Sequence, residues 1–120
     1  MNDECELRSI DESAVALARE HLVGPEIAHE MSTLFWALSD PTRVKIIHAL
    51  TLAEMCNCDL ATVLGITESA VSHQMRDLRL MKIVWAEKRG RMVFYRLSDP
   101  HIRHIFEDTL RHVQEGAGER

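Results

Sequence analysis

The chain has 120 residues, of which 46% are hydrophobic and 28% charged, a composition typical of one globular domain with its own core. No apolar run is long enough to span a bilayer, and the acidic residues 1–4 differ from a signal peptide, so we expect a cytoplasmic protein without a membrane partner. Cys5, Cys56 and Cys58 are an odd number of cysteines for a reducing compartment. They favour metal or redox chemistry over a structural disulfide.

The net charge of −5 is distributed unevenly along the chain. Residues 1–30 carry eight acids and two bases, whereas residues 67–97 carry seven bases and three acids, a local charge of +4. A basic segment on an acidic body predicts targeted contact with phosphate groups and argues against indiscriminate adhesion to polyanions.

The segment before Ala53 is predicted to form an arm and three helices. Residues 1–9 are polar and are predicted to form a mobile arm that carries Cys5. Helices are predicted on both sides of Gly24-Pro25, and Asp40-Pro41 predicts the capped start of a third helix, which ends before Ala53-Glu54. The residues predicted to face inward are Ile10, Ala14, Leu17, Ala18 and Leu22, then Ile27, Met31, Leu34, Phe35 and Leu38, then Val44, Ile47 and Leu50.

Residues 57–81 contain two short helical patterns that meet at Gly65. Gly65 stands where a glycine ends a helix, and Thr67 can cap the second helix with Glu68 in its first turn. The inward residues are Leu60, Ala61 and Leu64 in the first helix and Val71, Met75 and Leu78 in the second. Two short helices joined by a tight turn predict a helix-turn-helix. Periodicity alone also allows two ordinary packed core helices.

The outer side of the second helix is polar and basic, which favours DNA recognition. Gln74 is predicted to pair with adenine, and Arg76 with guanine or phosphate. Apart from Asp77, His73 has no candidate metal ligand three or four residues further on, so we predict that it faces DNA. The residues predicted to lie at DNA on this helix are Ser69, Ser72, His73, Gln74, Arg76 and Arg79.

Residues 84–97 predict a β-hairpin, because two alternating runs flank a turn that contains Gly90. After a helix-turn-helix, such a hairpin is typical of a wing whose bases, Lys88, Arg89 and Arg91, contact phosphates. A solvated turn is the alternative. The last helix is predicted over residues 100–115, opened by Asp99-Pro100 and ended by Gly116, with Ile102, Ile105, Phe106, Thr109 and Val113 facing inward. The predicted fold is mainly α with a small β-hairpin (α+β): one winged helix-turn-helix domain over residues 1–120.

Four segments together carry a resemblance to a known family. They are Leu-Ser-Asp-Pro-Thr-Arg-Val-Lys-Ile-Ile at 38–47, Glu-Met-Cys-Asn-Cys-Asp-Leu-Ala at 54–61, Glu-Ser-Ala-Val-Ser-His-Gln-Met-Arg-Asp-Leu at 68–78 and Gly-Arg-Met-Val-Phe-Tyr-Arg-Leu at 90–97. From about Ile27 to Glu115 the chain resembles the ArsR/SmtB family of winged-helix, metal-sensing repressors. The resemblance implies a homodimer, joined through its N- and C-terminal helices, that binds operator DNA and leaves it when Zn(II), Cd(II) or Pb(II) binds. The Cys-x-Cys and a full C-terminal ligand set make it most similar to the CadC-type cadmium, lead and zinc sensors.

The C-terminal ligand set comprises Asp99, His101, His112 and Glu115, which match the zinc ligands of the family. Oxygen and nitrogen ligands suit tetrahedral Zn²⁺. On one helix, His101 and His112 are separated by about 20° of rotation and about 16 Å of rise, so they share a face but cannot share an ion. An antiparallel second copy would supply the missing half, which predicts two symmetric sites across a dimer interface. A solvated polar face, with Asp99 only capping the helix, is the alternative.

The thiol set comprises Cys56 and Cys58, with Cys5 as a distant third ligand. Thiolates select soft metals such as Cd²⁺ and Pb²⁺ as well as Zn²⁺. In mid-helix this pair would point apart, so we expect it at a helix start, where Asn57 or the sulfurs cap and the helix dipole stabilises thiolate charge. The arm offers only Cys5 where the CadC pattern has two cysteines, so the fourth ligand stays open among His21, Asp59, a carboxylate near Cys5, or none. Small buried thiols without metal are the alternative.

Two other functions compete with a metal-responsive repressor. A redox-sensing repressor would use Cys5 with Cys56 or Cys58, since the last two are poorly placed to bridge each other on a helix. A zinc hydrolase would use His112 and Glu115, but the chain has no HExxH motif, and the tetrad leaves no position for water. We therefore expect no enzymatic activity.

Overall fold

A computed structural model describes residues 9–119, with side chains as far as residue 116. Within this range the chain forms six helices and three strands. In chain order they are α1 (Glu12–His21), α2 (Pro25–Ala37), α3 (Pro41–Leu52), β1 (Met55–Cys56), α4 (Asn57–Leu64), α5 (Glu68–Leu80), β2 (Val84–Arg89), β3 (Met92–Leu97) and α6 (Pro100–Glu119). None of the helices in the described part of the chain is both long and apolar enough to cross a bilayer.

The chain divides into two compact units at the boundary between Ser32 and Thr33. In the first unit, Asp11 caps α1, because its Oδ1 accepts a hydrogen bond from the Ala14 N–H at 3.0 Å. The winged helix-turn-helix lies in the second unit, so a single domain over residues 1–120 stays a prediction.

The second unit has a core to which its helices and its sheet all contribute. Two of the helices begin at an aspartate that accepts a hydrogen bond from a free N–H group of the first turn. Asp40 Oδ2 accepts from the Arg43 N–H at 3.1 Å, and Asp99 Oδ1 accepts from the Ile102 N–H at 3.1 Å. Among its fully buried large side chains are Ile46, Ile47, Leu60, Val71, Met75, Leu78 and Ile83.

The sheet has three antiparallel strands in the order β1-β3-β2. Arg89 pairs with Met92, so a two-residue turn closes the predicted hairpin, and its first residue, Gly90, has φ +63°, which glycine adopts without strain. The hairpin prediction is confirmed. Strand β1, which pairs Met55 with Tyr95, was not predicted, because two residues are too few to show an alternating pattern.

The helical periods predicted apolar faces more reliably than they predicted burial. All five residues of the α1 stripe are exposed, as are Ile27, Met31 and Phe35 of α2 and Val44 of α3, so their inward placement is wrong for a single chain. In α3 the buried residues are Ile46, Ile47, Ala49 and Leu50. In α6, Ile102 is buried, whereas Ile105, Thr109 and Val113 are exposed. A helical period reveals an apolar face but not what covers it.

Helix α6 does not end at Gly116 but continues to Glu119. Among the described glycines only Gly65 and Gly90 have positive φ, so Gly116 does not adopt the left-handed conformation of a helix-ending glycine. A glycine inside a helix costs only about 1 kcal/mol relative to alanine, and no proline follows it to stop the helix.

Candidate DNA-reading surface and metal-ligand sets

Helices α4 and α5 are joined by a turn whose geometry follows from Gly65 and Thr67. Gly65 has φ +68°, and the N–H groups of Gly65 and Ile66 both donate to the Ala61 carbonyl, at 2.9 and 3.1 Å. Thr67 Oγ1 then accepts from the Ala70 N–H at 3.0 Å and caps α5. The predicted end of one helix and start of the next are therefore confirmed, and the two helices form a helix-turn-helix.

Helix α5 has one buried face and one exposed polar face. Val71, Met75 and Leu78 are completely buried in the core. On the opposite side lies the reading face, which we define as the exposed side chains of Ser69, Ser72, His73, Arg76 and Arg79. Because the core anchors the inner side, the outer side is presented as a fixed surface, with two guanidinium groups among small polar residues.

Gln74 differs from the reading face because it is half-buried and already bonded within the chain. Its Oε1 accepts a hydrogen bond from Arg43 Nε at 2.9 Å. Arg43 also donates to Asp77 Oδ2 at 3.0 Å and to the Ala37 carbonyl at 3.2 Å, and it lies over the Trp36 ring at 5.6 Å from its centroid. These contacts of Arg43 could not be predicted from local sequence patterns, since its partners on α5 lie 31 and 34 residues further along the chain.

The hairpin formed by β2 and β3 places the three predicted phosphate-binding bases at its tip, but not in equal environments. Lys88 and Arg91 are exposed. Arg89 pairs with Glu54 at 2.6 Å and with Glu87 at 2.8 Å, and its guanidinium lies 4.5 Å from the centroid of the Phe94 ring. The hydrogen bond and charge of Arg89 hold the pKa of Glu87 below its ordinary value. Arg89 therefore already stabilises the hairpin and is the least available of the three for phosphate.

Cys56 and Cys58 lie at the start of α4, as the geometry of the pair required. Cys56 is the N-cap: its Sγ accepts from the Asp59 N–H at 3.4 Å, and Asp59 Oδ2 accepts from the Cys56 N–H at 3.2 Å. This is a capping box built on a thiol. Cys56 is buried, so its sulfur would have to become accessible before it could hold a metal ion. Cys5 lies outside the described residues.

Cys58 is exposed, and its Sγ donates a hydrogen bond to Glu68 Oε1 at 3.3 Å. This hydrogen bond is the main reason that the pKa of the Cys58 thiol is raised; desolvation and the negative charge of Glu68 act in the same direction. The expectation that the helix start stabilises thiolate charge is therefore wrong for Cys58 in this conformation, because a carboxylate adjoins the sulfur. Glu68 is the first residue of α5, so this contact joins the two helices.

Asp99 directly precedes α6, and the other three residues of the C-terminal ligand set lie on it. Because α6 is one continuous helix, its geometry separates His101 from His112 by about 16 Å along the axis. His101, His112 and Glu115 are exposed. Asp99 uses Oδ1 to accept from the His101 and Ile102 N–H groups, which leaves Oδ2 for another partner. In the described part of a single chain, no three His, Cys, Asp or Glu side chains come together as a metal site. The donor types fit Zn²⁺, but each half of the set needs a second half from elsewhere.

A helix-turn-helix followed by a basic β-hairpin, with a short strand before it that completes a three-stranded sheet, defines the winged helix-turn-helix class of DNA-binding proteins. The model of the family described as "Bacterial regulatory protein, arsR family" matches residues 40–84. The chain is 38% identical over 115 residues to a transcriptional repressor SmtB homolog of Synechocystis sp., covering 92% of this chain and 87% of the relative. It is 35% identical to a cadmium resistance transcriptional regulatory protein CadC homolog of Staphylococcus aureus, covering 96% and 95%. The chain belongs to the ArsR/SmtB family of transcriptional regulators.

Solved structures agree with this assignment. The antimony-specific transcriptional repressor AntR superposes with a TM-score of 0.74 at 28% identity and covers 98% of both chains. The solution structure of apo-NmtR superposes with a TM-score of 0.68 at 30% identity and covers 78% of each.

Proposed function

We propose that the chain is a metal-responsive transcriptional repressor that binds operator DNA as a homodimer and is released when Zn(II), Cd(II) or Pb(II) binds. The observation that carries the proposal is the reading face on α5, held by a buried core and followed by a basic wing. SmtB and CadC relatives, which are named for repression and cadmium resistance, support the metal response.

The homodimer is supported by apolar surface that a single chain leaves uncovered. Leu17 of α1 and Leu22, which follows its last residue, are 62% and 74% exposed. Separately, α3 and α6 enclose an apolar groove of about 250 Å³ that includes Val44, Ile105 and Val113. Surfaces of this kind are typical of protein interfaces. A second copy that packs along α6 would also bring a second C-terminal ligand set beside the first, as the split set requires.

Selection from a pool of random DNA duplexes tests the DNA-binding part of the proposal. A homodimer with one reading helix in each chain should enrich a pseudo-palindrome whose half-sites lie about 10–10.5 base pairs apart, or a multiple of that. Retention of all duplexes without enrichment of any sequence would contradict a repressor with a defined operator.

Replacing Arg76 by alanine should weaken binding to the selected operator by about 1–3 kcal/mol, because Arg76 is an exposed cation of the reading face. Arg111→Ala is the matched control, since Arg111 is an exposed arginine on α6 that pairs with Asp108. Fluorescence anisotropy with a labelled operator at moderate salt measures both variants. Equal operator affinities of the wild type and Arg76→Ala would contradict the placement of the reading face of α5 at the DNA.

In the wing, Lys88→Ala should weaken binding to all duplexes about equally and lower the salt-dependence slope by about one, as expected for one lost phosphate contact. The same change at Arg89 should act differently, since Arg89 holds Glu54 and Glu87. It should also lower the stability of the hairpin, visible as faster amide hydrogen exchange in β2 and β3. A loss confined to the operator sequence for Lys88→Ala would contradict a phosphate contact.

Adding Cd²⁺ to the reduced protein should give a sulfur-to-metal absorption band in the near ultraviolet, because Cys56 and Cys58 lie together at the start of α4. Cys5→Ser should weaken this band without abolishing it, if the arm supplies one ligand and the helix start two. An unchanged spectrum in that variant would show that the arm does not complete the site. If the protein takes up no metal in this titration but its cysteines become oxidised, the result would favour the redox-sensing alternative.

A further inference from the structure

We propose that Glu68 is the fourth ligand of the thiol set, so that a metal ion held there joins the start of α4 to the first residue of α5. The proposal rests on the metal response proposed above and deepens it by naming a ligand that the sequence left open. It concerns the thiol set alone and does not involve the C-terminal ligand set.

The carboxylate of Glu68 is already in contact with the start of α4. Cys58 Sγ donates to Glu68 Oε1 at 3.3 Å, and Asn57 Nδ2 donates to the same oxygen at 3.5 Å. Glu68 is the first residue of α5 and directly follows its cap, Thr67. Because Cys58 and Glu68 are both exposed, an ion can reach this pair from solvent without opening the core.

The distance between the two side chains suits one metal ion. In a tetrahedral site with Zn–S of about 2.3 Å and Zn–O of about 2.0–2.2 Å, a sulfur and an oxygen ligand lie about 3.5 Å apart. Cys58 Sγ and Glu68 Oε1 are 3.3 Å apart, so an ion can replace the thiol proton with little movement. The S–H bond breaks, the sulfur and the oxygen each bond to the ion, and the proton passes to solvent. The larger Cd²⁺ needs a wider pair, which two exposed side chains can provide by rotation.

Charge explains why this contact favours an ion although it disfavours a free thiolate. Without metal, a thiolate on Cys58 and the carboxylate of Glu68 would be two negative charges in contact. A divalent cation between them attracts both and removes the repulsion, since a bound ion is the largest charge in its surroundings. Glu68 therefore contributes to the site once metal is present and does not activate the sulfur beforehand.

Glu68 is favoured over Asp59, the candidate nearest to the two cysteines in the sequence. Asp59 Oδ2 accepts from the Cys56 N–H at 3.2 Å, so its carboxylate is used in the cap of α4. Within the described residues no three donors form a metal site. Completion of the site therefore requires the Cys56 sulfur to turn away from its capping position and Cys5 to approach from the arm.

A ligand at this position links the metal directly to the reading helix. Glu68 precedes Ser69, the first residue of the reading face. An ion bonded to both Cys58 and Glu68 fixes the first turn of α5 against the start of α4. Metal in the thiol set would thus act on the reading face within one chain, in addition to any effect on the spacing of two protomers.

Cadmium titration of Glu68→Gln tests the proposal, because glutamine keeps the size and the acceptor oxygen of glutamate but is a much weaker ligand. Cd²⁺ is added to the reduced full chain against a competing chelator, and the sulfur-to-metal band reports the thiol set alone. Glu68→Gln should bind Cd²⁺ at least about 10-fold more weakly. Its band at saturation should be unchanged, because the thiolates remain. Glu12→Gln, the same change at the first residue of α1, should retain wild-type affinity, with the folding of both variants checked by circular dichroism.

Glu68→Cys separates coordination from an effect of charge alone. A thiolate at position 68 should restore tight Cd²⁺ binding and strengthen the band by about one third to one half, since one thiolate is added to two or three. A band no stronger than that of the wild type would place residue 68 outside the coordination sphere. An unchanged or tighter Cd²⁺ affinity of Glu68→Gln would show that Glu68 only competes with the ion for Cys58. Either result overturns the proposal.

The wild type distinguishes failure of this proposal from failure of the proposed function. A wild-type chain without any sulfur-to-metal band would contradict the thiol set as a metal site, and the assignment of Glu68 would fall with it. A normal wild-type band with unaltered Cd²⁺ affinity in Glu68→Gln would overturn the assignment of Glu68 alone. Operator binding, measured separately, decides the DNA-binding part of the proposed function.

Discussion

Replacing Leu78 by alanine is expected to lower the free energy of unfolding by about 2–5 kcal/mol. Leu78 lies on the inner face of α5, is completely buried and packs in the core of the second unit. Removal of three carbons there loses apolar burial and leaves a cavity that the surrounding helices and sheet can fill only in part. The same residues that stabilise the fold therefore hold the reading face in position.

Leu80→Ala is the matched control, because Leu80 lies two residues further along the same helix and is 75% exposed. It should change the free energy of unfolding by no more than about 0.5 kcal/mol. Urea unfolding under reducing conditions, at one protein concentration for all variants, measures both changes. Equal losses for Leu78→Ala and Leu80→Ala would contradict the assignment of the buried face of α5, and with it the position of the reading face.

The second large effect is expected at the C-terminal ligand set. His101→Ala and His112→Ala homodimers should each bind zinc at least about 10- to 100-fold more weakly, since even the outer partners of metal ligands contribute that much. His104→Ala, which changes another exposed histidine of α6, should retain wild-type zinc affinity. These comparisons use zinc titration against a competing chelator, without DNA.

Mixing the two weak variants should restore zinc binding. In a mixed dimer, the His112→Ala chain still supplies Asp99 with His101, and the His101→Ala chain still supplies His112 with Glu115. One of the two sites is then intact, so an equal mixture at exchange equilibrium should recover about a quarter of the wild-type tight sites. The separation of about 16 Å along α6 is the reason for this expectation. A mixture that binds zinc no better than its components would show that the ligands do not bridge two chains.

Local sequence signals predicted the helix caps and the turn that position the reading face. The caps at Asp40, Thr67 and Asp99 and the left-handed turn at Gly65 each depend on residues no more than four positions away, and each is present in the structure. Such features can be predicted because side-chain chemistry and backbone geometry meet within one turn of chain.

Features that depend on residues far apart in the chain were not predictable in this way. The hydrogen bond from Arg43 to the Gln74 oxygen was not predicted, because the two residues lie 31 positions apart in the chain. The ion pair of Arg89 with Glu54 could not be predicted, because it depends on the approach of the hairpin to the segment before β1. The sequence therefore suggested only a phosphate contact for Arg89. Likewise, the raised pKa of Cys58 comes from Glu68, ten residues further on and across the turn between α4 and α5.

Apolar stripes predicted which side of a helix is apolar but not whether the same chain covers it. The periodicity of α5 identified a face that is buried in the chain, but the equally clear stripe of α1 is exposed. Both patterns show that a helix has an apolar side, and neither contains information about whether the covering surface belongs to the same chain. For α1, we propose that a second copy of the chain supplies it.

Metal-dependent release from DNA tests the central claim most directly. The affinity of the homodimer for its selected operator would be measured by fluorescence anisotropy before and after addition of Zn²⁺, Cd²⁺ or Pb²⁺, with metal occupancy determined in the same samples. If the ligands are shared between protomers as proposed, a bound metal would fix the spacing of the two reading helices, so metal and DNA should favour different dimer shapes. We predict that at least one of these metals raises the operator Kd by about 5- to 150-fold, and that operator DNA weakens binding of that metal by the same factor. Full metal occupancy with an unchanged operator Kd for all three metals would contradict the account.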